Sequence, residues 1–341
     1  MTPDGTTGTR TWQDPGWRAG ALGWARERLA GHGLVPNGAP GQPHVMPWST
    51  ALRLPVRGGA VWLKAVGPGS AHEPALAAAL GDWAPARALV PLAVEPGRRL
   101  LLLPDGGTTL RDSGRAGRVE AWEAVLADYA RLQVEVAPHA AAMLDLGVPD
   151  ARPERLPDQV AGLLADDDAL LVGRDGGATA DVRDALVAEL PRYRELCDRL
   201  AASGIPPTVQ HDDLHDGNVF VAGSLRRFFD WGDASVSHPF LSLLVALRMA
   251  ARALGVPHGH PTLTRLRDAY LAPWRDVGDP RDLVEPADIA LRVAPLARAL
   301  SWWRILAGVD PAERAEWAAA VPGWAAAHLG AGPLAPARPD G

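Results

Sequence analysis

The stretch that decides the fold is His211-Asp212-Asp213-Leu214-His215-Asp216-Gly217-Asn218, followed by Val219-Phe220-Val221, Ala222-Gly223-Ser224-Leu225 and Arg226-Arg227-Phe228-Phe229-Asp230-Trp231-Gly232. Two short apolar runs around Gly223-Ser224 predict a β-hairpin over Asn218–Trp231. With the turn centred near Ser224, Asn218 falls opposite Asp230, and opposed residues on paired strands lie roughly 4.5–5.5 Å apart. An amide oxygen and a carboxylate at that separation suit one Mg²⁺, a cation that prefers hard oxygen ligands. Asp213 precedes Asn218 by five residues and would stand beside that metal, placed to accept a proton from an attacking hydroxyl. This is the layout of phosphoryl transfer, in which a protein mainly positions groups and neutralises charge.

Outward from this stretch, the chain divides by texture. Asp14-Pro15 is a helix start, and Trp17, Ala21, Trp24 and Ala25 recur at helical spacing down to Ala30. Residues 44–55, 60–66, 90–94 and 99–103 read as strands separated by Gly/Pro turns, with a short helix over 72–83. Beyond Pro104-Asp105-Gly106-Gly107 the chain reads as helices over 119–136, 156–171, 181–202, 239–254, 263–271, 286–306 and 311–329. The expectation is an α+β chain of two lobes: a small β-rich lobe over 1–104 and a larger, mainly helical lobe over 105–341. Residues 1–13 and the Pro/Ala/Gly-rich tail from Gly330 are expected to be loose.

HDDLHDGN followed by FFDWG resembles the HxDLHxGN…D signature of the aminoglycoside phosphotransferase family, distant relatives of the protein kinases. The resemblance implies a bilobal protein-kinase-like fold, with Asp213 as catalytic base, Asn218 and Asp230 as metal ligands and His211 as a stabiliser of the loop. His215 stands where a protein kinase carries lysine, which favours a small-molecule acceptor. Upstream, Val61-Trp62-Leu63-Lys64 resembles the strand of the phosphate-binding lysine, and Glu73 resembles its carboxylate partner. Leu101–Asp105, with Leu103 and Asp105, resembles the hinge that holds the nucleotide base. Three positions depart from the family pattern. Asp212 replaces a usual glycine, Pro47-Trp48-Ser49-Thr50 replaces a glycine-rich nucleotide loop, and Ser242 stands where relatives often carry aspartate. Ser49 and Thr50 serve equally well as phosphate contacts or as turn residues.

Several groups are candidates for the acceptor. Asp212, Asp216 and Asp233 would attract an amine-bearing molecule. Trp302-Trp303-Arg304 lies on a late helix, where adjacent residues point roughly 100° apart, so that one tryptophan packs inward and the other is free to line a pocket. The remaining tryptophans, such as Trp17, Trp24, Trp122 and Trp317, are spaced for core packing. Cys197, the only cysteine, reads as a packed thiol and excludes an intrachain disulfide. Asp166-Asp167-Asp168 reads as a solvated loop or helix end.

Bulk properties remove other classes. A formal net charge of −6, without any Lys/Arg block, argues against nucleic acid. The opening MTPDGTTGTR has no apolar core, and no apolar run approaches the ~20 residues of a membrane helix, so a cytoplasmic protein is expected, as monomer or homodimer. The expected cosubstrate is ATP or GTP with Mg²⁺, and the expected activity is transfer of the γ-phosphate to a small-molecule hydroxyl. The Ala/Gly/Pro/Arg-rich composition, similar to that of high-GC actinobacterial proteins, leans towards an aminoglycoside, nucleoside or glycoside antibiotic. Alternatives are a choline-, homoserine- or sugar-type kinase, a metal-dependent phosphohydrolase using His211, Asp212, His215 and Asp216, and an inactive nucleotide-binding module.

Overall fold

The computed structural model describes residues 5–276, 282–330 and 332–335. Asp14 caps helix α2 (Pro15–Gly31), which follows a single turn, α1 (Thr9–Gln13); its carboxylate accepts from Trp17 N at 2.7 Å, and Pro15 occupies the first helical position. The buried face of α2 is Ala21, Trp24, Ala25 and Leu29. It packs on a five-stranded antiparallel sheet, β1 (Gly41–Met46), β2 (Ser49–Val56), β3 (Gly59–Val66), β4 (Ala93–Glu95) and β5 (Leu100–Pro104), in the order β1-β2-β3-β5-β4. Alternation divides the strands into two faces. Leu52, Leu54, Val61, Leu63, Ala65, Leu100 and Leu102 join the cluster under α2, and Lys64, one residue out of phase, is left on the opposite face. Helix α3 (Glu73–Trp83) presents Glu73 to that same side.

The run expected as one strand over 44–55 is instead a hairpin. Pro47-Trp48 forms the turn between β1 and β2, with Met46 paired to Ser49. The β-strand expected to begin at Val90 is shorter, starting at Ala93.

The rest of the chain is the helical lobe. Helix α4 (Val119–Val136) buries Trp122, Leu126, Tyr129 and Gln133. Then follow α5 (Ala140–Asp145), the two-residue strand β6 (Asp150–Ala151), α6 (Leu156–Leu164) and α7 (Ala180–Ala201). The strands β7 (Thr208–Gln210), β8 (Val219–Ala222), β9 (Leu225–Phe228) and β10 (Ser235–Ser237) carry the central loops, and α8 (Leu243–Leu254), α9 (Pro261–Leu271), α10 (Val284–Ala307), α11 (Pro311–Arg314) and α12 (Ala320–Ala327) complete the order. Helix α10 is buried nearly all round, as suits a helix at the centre of a lobe. Cys197 packs inside α7, and burial pushes its thiol up to about 12, which leaves it inert.

Three expectations are corrected here. The helix from Leu156 stops at Leu164, and the helix expected over 311–329 is broken into α11 and α12. Residues 5–13, expected to be loose, are tied down: Thr7 N donates to Gly308 O at 2.9 Å, Asp310 N donates to Thr7 O at 2.7 Å, and Thr9 N donates to the Glu313 carboxylate. Most of the tail beyond Gly330 lies outside the described residues.

Candidate active site

Helix α4 fixes the start of the His211–Asn218 loop. Tyr129 Oη donates to Val209 O at 3.2 Å and accepts from His211 N at 2.8 Å, and His211 Nε2 donates to Phe229 O at 2.9 Å. His211 therefore ties the loop to the hairpin behind it.

The next residue, Asp212, has φ +62°, a left-handed backbone that suits glycine and that aspartate tolerates better than most residues. Its side chain turns inward, accepting from Gln210 Nε2 at 2.8 Å and from Ser301 Oγ, and is 4% exposed. This explains the departure at the family's glycine position and removes Asp212 from the acceptor candidates.

The hairpin forms as expected, but its register is shifted. Val219 pairs with Phe228 and Ala222 with Leu225, so Asn218 falls beside Phe229 and not opposite Asp230. A one-residue slip sends a side chain to the other face of a strand. Asp230 lies beyond β9 with φ +68°, and this left-handed residue, not cross-strand pairing, sets its direction.

Asp213, Asn218, Asp230, Lys64 and Glu73 nevertheless line one cavity of about 430 Å³, together with Ser49, Asp233 and Trp302. Lys64 Nζ donates to Glu73 Oε1 and to Asp230 Oδ1, both at 2.6 Å. Burial alone would lower the Lys64 ammonium, but Asp230 and Glu73 outweigh it and hold the pKa well above its ordinary value. Burial pushes Glu73 up to about 7 against the pull of Lys64, because one cation is shared by two carboxylates. Glu73 also accepts from Trp231 N at 3.1 Å, which joins α3 to the loop after Asp230.

Asp213 Oδ1 accepts from Arg298 Nη2 at 3.1 Å, and its Oδ2 lies 3.4 Å from His215 Nε2. Burial opposes ionisation, but the His215 contact and the Arg298 guanidinium hold the carboxyl well below the usual range, so Asp213 is ionised at neutral pH. Asn218 Nδ2 donates to Asp213 O at 3.0 Å, which leaves the amide oxygen for a ligand. That oxygen and the Asp230 carboxylate are hard donors and fit Mg²⁺. Among the described residues no group of three or more His, Cys, Asp or Glu is arranged to hold a metal unaided. The phosphohydrolase set is not assembled: Asp212 points into the core, and Asp216 accepts from Arg111 Nη2 at 2.7 Å beside a different cavity.

The other predicted residues divide. Ser49 lines the cavity, its Oγ 3.4 Å from His44 Nε2, whereas Thr50 is fully buried and donates to His44 O. Leu103 pairs with Trp62 in the sheet, and Asp105 Oδ1 accepts from Gly107 N at 3.1 Å; neither lines this cavity. At Gly106 a Cβ would meet the Phe220 ring at 2.1 Å, so only glycine fits under the chain passage between the lobes. Trp302 lines the cavity and packs edge-on against Trp48, ring centroids 5.6 Å apart. Trp303 faces another cavity, and the Arg304 guanidinium is spent on Gly69 O and Asp233 O. Sequence reasoning missed Arg298, His44, Ser70 and Arg111, which also line the site. Arg298 had one visible signal, an arginine flanked by Ala297 and Ala299 in the apolar stretch Val293–Leu300 of the helix.

A small antiparallel lobe carrying a Lys–Glu pair, packed over a helical lobe carrying Asp213, Asn218 and Asp230, defines the kinase-like class of phosphotransferases. A family model described as "Phosphotransferase enzyme family" (APH) matches residues 71–283, more than half of the chain, and the chain belongs to that family. It is accordingly a small-molecule phosphotransferase with a hydroxyl acceptor. Solved structures share the fold. A choline/ethanolamine kinase family protein from Mesorhizobium loti aligns over 91% of this chain and 94% of its own, at 16% identity and a TM-score of 0.56. An ethanolamine kinase from Plasmodium vivax aligns over 86% and 82%, at 13% identity and 0.54. A macrolide 2'-phosphotransferase type I aligns over 85% and 93%, at 16% identity and 0.50. No curated protein matches the chain in sequence. Among the described residues no helix is long and apolar enough to cross a membrane.

Proposed function

We propose that the chain transfers the γ-phosphate of ATP or GTP to a hydroxyl of a small molecule, a glycoside or nucleoside antibiotic, in the cytoplasm. In this reading residues 1–104 form the nucleotide lobe and 105–341 the acceptor lobe. The observation that carries the reading is the meeting of Asp213, Asn218, Asp230 and the Lys64–Glu73 pair in one cavity. Lys64, held by Glu73, binds phosphate oxygens, and Ser49 lies on the same wall. Asn218 and Asp230 would hold Mg²⁺, which supplies charge neutralisation for the phosphates when bound. Asp213 orients the acceptor hydroxyl and takes its proton as the oxygen–γ-phosphorus bond forms, the bond to the β–γ bridging oxygen breaks and the nucleoside diphosphate leaves. The stretch Leu101–Asp105 would hold the base. The antibiotic assignment is supported by composition and by fold neighbours such as the macrolide 2'-phosphotransferase.

The test is acceptor-dependent release of ADP or GDP across a hydroxyl-compound library, with thermal shifts by Mg-ATP and Mg-GTP choosing the nucleotide. Nucleotide hydrolysis that no acceptor accelerates, and that yields free phosphate alone, would sink the reading in favour of a hydrolase.

A further inference from the structure

The carboxylates nearest the base are already paired. Asp233 Oδ2 accepts from Arg298 Nη1 at 2.5 Å, Asp213 Oδ1 accepts from Arg298 Nη2 at 3.1 Å, and Asp212 Oδ2 lies 3.6 Å from the same guanidinium. Asp216 is held by Arg111. Arg304, whose guanidinium binds the carbonyls of Gly69 and Asp233, adds a second, partly buried positive charge beside this cluster. An ammonium brought up to Asp213 or Asp233 would have to share each carboxylate with the guanidinium already seated on it, so it gains less there than at an unpaired carboxylate.

What the site leaves unsatisfied on this side is a pair of donors. Arg298 Nε and Trp302 Nε1 are both buried, and neither has a hydrogen-bond partner. Arg298 itself is 4% exposed. The two residues are four apart on α10 and so share a face, with the guanidinium carbon 5.5 Å from the centre of the indole. Both line the cavity that holds Asp213. Buried donors without partners are rare in folded proteins and call for a partner; Trp274, Arg314 and Trp317 also carry one, but these two line the cavity of Asp213.

We propose that Arg298 Nε and Trp302 Nε1 recognise the acceptor, and that the acceptor is an uncharged or anionic hydroxy compound presenting an oxygen next to the hydroxyl that is phosphorylated. The inference rests on the phosphotransferase reading and narrows it. Polycationic aminoglycosides and amino alcohols are set aside, and sugars, nucleosides, glycosides and hydroxy acids are retained.

The test uses the full chain saturated with Mg-AMP-PNP for calorimetry, and with Mg-[γ-³²P]ATP for transfer. The cationic probes are kanamycin, choline and ethanolamine; the oxygen-only probes are ribose, uridine, a neutral glycoside and glycerate. Binding and transfer are expected in the second set only. Trp302→Phe deletes the N–H and keeps the ring, and Arg298→Lys keeps the charge but deletes Nε together with the Nη bonds to Asp213 and Asp233, so acceptor KM is read separately from kcat in that variant. Each should raise acceptor KM about tenfold, the scale of one hydrogen bond to a charged or buried group, while nucleotide KM moves less than about twofold. A cationic probe that outbinds every oxygen-only probe overturns the proposal. So does an oxygen-only set that fails to bind at all, or a pair of variants whose acceptor KM does not change. A chain that fails to bind Mg-AMP-PNP overturns the phosphotransferase reading instead.

Discussion

Lys64 on β3 and Asp230 beyond the β8–β9 hairpin meet at 2.6 Å, although 166 residues separate them and they belong to different lobes. Asp230 thus neutralises Lys64, and on the proposed function a nucleotide's phosphate oxygens would take its place. Asp230→Asn is expected to weaken nucleotide binding roughly tenfold or more in Mg²⁺, a ~1.4 kcal/mol effect, and much less in EDTA. Calorimetry in both buffers checks this, and an Asn218→Ala variant should behave alike. Unchanged Mg²⁺ dependence in both would remove the metal assignment.

Asp213→Ala should lower kcat by about 10²–10⁴-fold, the usual range for a positioned base, and leave nucleotide affinity within a few-fold. The depressed carboxyl of Asp213 also predicts a pH profile. The base stays ionised down through pH 5, so kcat/KM should show no acid limb from this residue between pH 5 and 8. A residual rate above about a tenth of wild type in the alanine variant would refute the assignment.

Two buried histidines should contribute to acid lability, partly offset between about pH 7 and 4.5 by the raised Glu73. Burial pushes His72 and His238 down to about 3, below the ordinary 6.5. Between those values the unfolded chain binds protons that the folded chain does not, so stability rises with pH across the window and is lost as pH falls from about 6.5 towards 3. The slope is about 1.4 kcal/mol per pH unit for each fully titrating group. Thermal melts from pH 7 to pH 5 should show the loss, and His238→Gln should flatten it. An equally steep fall in the glutamine variant would exclude His238 as a source.

Asp212 offers a test of backbone against side chain. Asp212→Ala loses the bonds from Gln210 and Ser301 and keeps the left-handed φ, whereas Asp212→Gly loses the same bonds and relieves the φ. The glycine variant should therefore be the more stable of the two by roughly 1 kcal/mol, with both below wild type. Urea titration of both variants ranks them, and an alanine variant at or above glycine would show that the backbone carries no cost.

The hairpin around Gly223-Ser224 was legible because turn residues flank apolar runs, and Lys64 was legible through the resemblance of Val61-Trp62-Leu63-Lys64 to the family's lysine-bearing strand. The pairing of Asn218 with Asp230 was misread because register depends on where the two-residue turn closes, and closure at Gly223-Ser224 shifts the partner to Phe229. The β6-β10-β7 sheet carries no periodicity, since its strands are two or three residues long. Arg298 and the Thr7 tether escaped for one reason: their partners lie 65 to 303 residues away, and local pattern holds no information about such pairs.

The turn at Pro47-Trp48 has one more consequence. Trp48 stands where the family's nucleotide loop is expected, yet its indole packs edge-on against Trp302 and Trp317, with centroids 5.6 and 4.9 Å away. If the nucleotide enters under that hairpin and the acceptor lies against Trp302, as proposed, moving the turn would disturb the Trp302 ring as well. The two substrates would then be coupled through a shared aromatic joint, and a mutation that reshapes the wall for a larger acceptor should also change the rate of nucleotide release.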